Sequence, residues 1–170
     1  MAESTLAVTT GAYEQGRDVV SVRAEALERK LILPAAPGTI GGTELVGSGV
    51  PRGGLEVAIV GGEAKEPLPE NAVGEVWVAG QSVAEGYWRD RSETENTLGA
   101  GTSHGEGPYL RTGDLGFPRE GRLFVTGRHK DTLLINGRNL YSQDIEACLI
   151  EAHPALDQGS VVAVPIPKMD

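Results

Sequence analysis

Cysteine is almost missing from this chain: Cys148 is its only one, so no internal disulfide can form. Long apolar runs are missing too, and the N-terminus has no basic region leading into an apolar stretch. Neither a membrane-spanning helix nor a secretory signal is predicted, and a cytoplasmic location is expected. Positive charge is short, with 15 Lys and Arg against 24 Asp and Glu and a net charge of −9. A phosphate-lined surface would repel such a molecule, which argues against nonspecific nucleic-acid binding and anionic membranes. The three histidines, His104, His129 and His153, have no cysteine or second histidine at metal-ligand spacing, so no metal site is assigned to them.

Glycine and proline are plentiful, 24 and 10 in 170 residues, and 39% of the chain is hydrophobic. That composition points to a globular fold of short strands and turns. Strand-like runs fall at 19–22, 55–60, 75–79, 123–125, 132–135 and 160–164, with 38–54 read as loop around one strand at 44–46. Short helices are predicted at 24–29, after a capping pattern of Ser92 with Glu95, and from about 143 to 151 behind Ser142. Ile145, Cys148 and Leu149 give the last helix an apolar face, on which Cys148 is expected to pack into the core. No internal repeat is present.

The chemistry concentrates between Tyr109 and Tyr141. Apolar strand pieces alternate there with charged residues beside glycines: Gly113 with Asp114, Gly127 with Arg128, and Gly137 with Arg138 and Asn139. Glycine lets the backbone turn sharply and approach a ligand closely. Hairpins with solvated charged tips are the plain alternative for any one of these sites. Three such tips in 33 residues favour a binding site.

The run Tyr109-Leu110-Arg111-Thr112-Gly113-Asp114, followed by Gly127-Arg128-His129-Lys130-Asp131, resembles the adenylate-forming, acyl-activating enzymes. Gly74-Glu75-Val76-Trp77-Val78-Ala79-Gly80 with Gly86-Tyr87-Trp88 is similar to that superfamily's preceding strand and turn, and the residues from Met1 to Thr5 to the tail of its magnesium-binding motif. Residues 135–146 look most like the fatty acyl-AMP ligases, and 10–51 is similar to the insertion of that subfamily. The resemblance is strong from Glu75 to Glu146 and weaker in the insertion.

It implies that a fatty acid is activated with ATP to acyl-adenylate and pyrophosphate, then passed to the phosphopantetheine thiol of an acyl carrier protein. Asp114 and Arg128 would face the ATP ribose, an acceptor-only carboxylate and a permanently charged donor fork. Glu3 would bind Mg²⁺, a hard cation suited to carboxylate and phosphate oxygen. Asp131 would be the hinge of a rotating lid, and Gly137 would lie where the pantetheine arm approaches. No residue is assigned a catalytic role: the family's phosphate loop has no counterpart after Met1, and Lys168 lacks the setting of its catalytic lysine.

The implied fold is α+β and mostly β: residues 1–130 as the end of the large domain, built on a distorted β-barrel-like subdomain, and 131–170 as the start of a small lid. The chain reads as a fragment, expected to be inactive alone. A fragment of an acyl-CoA ligase or of a peptide-synthetase adenylation domain is the alternative, as is a non-catalytic remnant that binds nucleotide or carrier protein.

Overall fold

The computed structural model describes residues 2–11, 16–135, 138–157, 159–164 and 166. Ten strands follow in chain order: β1 (Thr9–Thr10), β2 (Val19–Arg23), β3 (Gly42–Pro51), β4 (Glu56–Gly61), β5 (Glu66–Pro67), β6 (Gly74–Ala79), β7 (Leu110–Arg119), β8 (Arg122–Arg128), β9 (Thr132–Ile135) and β10 (Arg138–Tyr141). Helix α1 (Ala24–Leu27) follows β2, α2 (Arg91–Thr97) lies between β6 and β7, and α3 (Ser142–Ala152) follows β10. Single 3-10 turns occur at Ala2–Ser4 and His129–Asp131.

Eight strands form one antiparallel sheet in the order β1-β3-β8-β7-β6-β4-β5, with β2 also paired to β3. The expectation of a mostly β fold holds. The barrel-like closure does not: among the described residues nothing joins β5 to β1 or β2, and the sheet is open. One reason lies at the β5 end, where a two-residue strand closes on Pro67, which has no N–H to offer a further strand.

Both faces of the sheet centre are covered. Along β6, Val76 and Val78 pack on one side with Leu55, Ile59, Leu98, Leu110 and Leu123, while Trp77 packs with Val60, Ala100 and Tyr109. A third cluster joins Phe117 and Phe124, stacked with ring centroids 5.2 Å apart, to Val20, Val22, Leu27, Ile32, Leu45 and Tyr141. Large side chains of this kind stabilise by roughly 1.5–3 kcal/mol each when buried. The insertion-like segment thus contributes β2, α1 and β3 to the core rather than lying on it as a loop.

Several local expectations change. β3 runs for ten residues, well beyond 44–46. Its glycines hide the alternation, and Gly49 is there for close approach: a Cβ on it would sit 2.2 Å from the Thr10 backbone. Helix α1 is four residues long. The N-cap of α2 is Asp90, whose carboxylate accepts from the Glu93 N–H at 2.9 Å, so Ser92 lies inside the helix. Ser142 starts α3 without capping it, donating instead to the Asp131 carbonyl at 2.5 Å. Residues 160–164 form no strand, and Cys148 is exposed. No helix among the described residues is long and apolar enough to cross a membrane.

Candidate nucleotide-binding site

β7 and β8 are antiparallel, and their register sets Asp114 directly opposite Arg128. The guanidinium Nε donates to Asp114 Oδ1 at 2.9 Å. That bond and the adjacent negative charge push the Arg128 pKa still higher, so it stays a cation at any working pH. The Arg128 side chain is 64% exposed, and so open an ion pair contributes only about 0.2–1 kcal/mol to stability. The register holds the pair in place, but the pair does little to hold the register.

Asp114 projects from a bulge. Between the matched pairs Glu75–Leu115 and Trp77–Arg111, the single residue Val76 faces Thr112, Gly113 and Asp114. Gly113 takes φ +73° at its crest, with open space where a side chain would go. Glycine is needed there for its conformation and not for room. Thr112 fastens the base: its hydroxyl donates to the Val76 carbonyl at 2.7 Å and accepts from the Asp114 N–H at 3.0 Å.

A cleft of about 820 Å³ opens beside this bulge and takes in Glu3, Asp114, Arg128 and Asp131 together. Four of the five residues singled out in the sequence therefore share one site, and the fifth, Gly137, lies outside the described residues. Glu3 is held by the Tyr87 hydroxyl, which donates to its Oε1 at 3.2 Å, and by the Ala84 N–H on its carbonyl at 2.7 Å. Burial first, and then the Glu3 carboxylate, push the Tyr87 phenol pKa upward. Asp131 closes the 3-10 turn that follows β8.

Sequence reasoning missed several residues of the cleft. Lys130 is one, and Glu93, Asn96 and Thr97 on α2 are others. The last three stand at i, i+3 and i+4, a helical spacing that puts them on one face. No group of three or more His, Cys, Asp or Glu suited to a metal occurs among the described residues. Glu3 is one of five acids lining the cleft, and its carboxylate suits Mg²⁺, an ion that commonly takes one or two carboxylates with substrate phosphates and water completing its shell.

No family model matches the chain. A medium-chain fatty acid–[acyl-carrier-protein] ligase of Moorena producens is 42% identical over 171 residues, covering 98% of this chain and 29% of the relative. A long-chain fatty acid–AMP ligase of Mycobacterium tuberculosis is 38% identical over 174 residues, covering 98% and 28%. A solved structure from a study of fatty acyl-adenylate ligases of E. coli and L. pneumophila superposes with a TM-score of 0.77 at 32% identity, covering 89% of this chain and 26% of that one. The L. pneumophila enzyme in complex with acyl adenylate and pyrophosphate gives 0.71 at 39% identity, covering 88% and 26%. The chain spans less than a third of the length of these relatives. Over that span, in sequence and in fold, it belongs to the fatty acyl-AMP ligases of the adenylate-forming superfamily.

Proposed function

We propose that this chain supplies the ribose-facing wall of a nucleotide site for ATP-dependent acyl-adenylate formation. The observation that carries this reading is Asp114 opposite Arg128 on paired strands, in one cleft with Glu3. In the reaction a fatty carboxylate oxygen attacks the α-phosphorus of ATP, the bond to the β-phosphate breaks, and pyrophosphate leaves. A carrier-protein thiol then attacks the acyl carbonyl and AMP departs.

Asp114 can accept from both ribose hydroxyls, and Arg128 can rotate off it to donate to ribose or phosphate oxygen. Mg²⁺, when bound, neutralises phosphate charge, and Glu3 is the residue that would hold it. The structure of a relative bound to acyl adenylate and pyrophosphate supports this chemistry, and the Moorena ligase's naming of an acyl-carrier-protein supports that acceptor. A need for ATP supports a cytoplasmic site for this reaction.

We place the end of the large domain at residue 130 and the start of the lid at 131. The 3-10 turn at His129–Asp131, between the main sheet and the separate β9–β10 hairpin, supports a hinge at Asp131. Gly137, between those two strands in sequence, is proposed as the point of pantetheine approach. Titrating the chain with AMP and with 2′,3′-dideoxy-AMP while following backbone amides by NMR tests the site. AMP is expected to shift Asp114 and Arg128, and the dideoxy analogue to leave them in place. Equal shifts with both nucleotides would remove the ribose assignment.

A further inference from the structure

The Glu75 carboxylate, reaching across from β6, grips the far side of the bulge that carries Asp114. Its Oε1 accepts from the Gly113 N–H at 3.2 Å, and its Oε2 accepts from Arg111 Nε at 3.1 Å and Nη2 at 2.9 Å. The Glu75 side chain is only 14% exposed, against 44% for Arg111. The Arg111 guanidinium lies over the Trp77 ring, 5.7 Å from its centroid. The anchor therefore extends into a buried indole on the same strand as Glu75. Gly113, at the crest with no opposing residue on β6, would otherwise leave its N–H without this partner.

We infer that Glu75 is a positioning residue for nucleotide binding: it fixes Gly113 and Arg111 so that the intervening bulge presents Asp114 to the ribose. This rests on the ribose reading proposed above. The physical basis is division of labour across the bulge. Thr112 ties its base to Val76, and Glu75 ties its crest and its entry from β7. Three accepted bonds make Glu75 the joint through which β6 controls where Asp114 stands. A carboxylate placed by rigid neighbours binds better than one that must be ordered on contact. Glu75 also lines the cleft, but its oxygens are already engaged by the chain.

The test uses the 170-residue chain with Glu75→Ala, Glu75→Gln and Asp114→Ala, each read by AMP affinity and by amide hydrogen exchange. Glu75→Ala is expected to weaken AMP about tenfold, as loss of a charge-assisted contact would. The Gly113 and Asp114 amides should exchange faster while those of β6 and β8 stay protected. Glu75→Gln keeps an acceptor for the Gly113 N–H and should recover most of the affinity. It also supplies the measurement should the alanine variant fold poorly. If Asp114→Ala weakens AMP binding and Glu75→Ala does not, positioning is wrong and the ribose reading stands. If Asp114→Ala leaves AMP binding unchanged, the ribose reading fails, and exchange at Gly113 alone decides the clamp: faster in Glu75→Ala supports it, unchanged overturns it. Loss of protection spread evenly over the sheet would make Glu75 a stability residue and overturn the inference.

Discussion

Asp114 and Arg128 meet at the surface, where an ion pair contributes little to folding and a great deal to recognition if a ligand displaces water from it. This separates affinity from stability at one residue. Asp114→Ala removes two charge-assisted acceptor contacts, worth about 1.5–3 kcal/mol each, so AMP affinity is expected to fall about a hundredfold or more. The thermal midpoint should scarcely move, because the exposed pair adds only about 0–1 kcal/mol. Calorimetric titration alongside thermal unfolding checks this, and a large drop in midpoint with affinity retained would reassign Asp114 to structure. Tyr109 behaves oppositely. It is buried and donates to Glu56 Oε1 at 2.8 Å, and burial first, then that bond, push its phenol to about 12 from the ordinary 10.0. The folded state therefore holds the Tyr109 proton more tightly than the unfolded chain. The stability linked to it is complete below about pH 10 and is lost as pH rises toward 12. Tyr109→Phe should lower stability at neutral pH and flatten the alkaline decline between those values. Tyr87, shifted the same way, retains part of the slope. A decline identical to that of the unsubstituted chain would put the linkage elsewhere.

Elements were legible where one residue type carried the signal, and illegible where partners decided the outcome. The apolar run of β6 shows in the sequence because both faces of the sheet are covered there, and Gly113 beside Asp114 shows because the bulge takes a positive φ at that residue. Ser92 and Ser142 looked like caps because both have the right chemistry. Asp90 took the first role, and the second serine was drawn to the Asp131 carbonyl, a contact eleven residues back that spacing cannot reveal. Residues 160–164 form an apolar run of the length and type a strand uses, but Val162 and Val164 are exposed and no strand pairs with the run among the described residues. The link between α1 and β10 was equally hidden. The Glu28 carbonyl accepts from the Asn139 N–H at 3.0 Å and from Asn139 Nδ2 at 2.8 Å, while its carboxylate accepts from Arg138 Nε at 2.6 Å. One residue of the insertion-like segment thus holds the hairpin beyond the proposed hinge. Glu28→Ala removes the carboxylate bonds and leaves the carbonyl ones. Hydrogen exchange is expected to rise several-fold across β9 and β10, roughly what loss of about 1 kcal/mol allows, with β6 and β7 unchanged. Unaltered exchange in the hairpin would show that Arg138 contributes nothing to its docking.

At the scale of the whole molecule, charge sets what the cleft can do alone. It is lined by five acids, Glu3, Glu75, Glu93, Asp114 and Asp131, and by three cations, Arg111, Arg128 and Lys130. Arg111 is engaged by Glu75 and Arg128 by Asp114, which leaves Lys130 as the lining cation without an ion pair among the described residues. AMP, with one phosphate, can bind such a wall through its ribose. ATP brings two further phosphates, and the net negative lining repels them unless a divalent ion bridges the gap. ATP affinity is therefore expected to rise steeply with Mg²⁺ and that gain to shrink in Glu3→Gln, while AMP affinity depends on neither. Chemistry needs more than binding. Moving the α-phosphoryl group requires preorganised positive charge where the oxygens gain negative charge, and here each arginine already has a carboxylate partner. The 170-residue chain is accordingly expected to bind nucleotide yet show no fatty-acid-dependent pyrophosphate exchange above blank. The assay is incubation of purified chain with ATP, Mg²⁺, a fatty acid and labelled pyrophosphate, with Asp114→Ala as control. Exchange that is abolished by Asp114→Ala would mean that this cleft stabilises the transferring phosphate by itself, and Lys130 would be the first residue to replace.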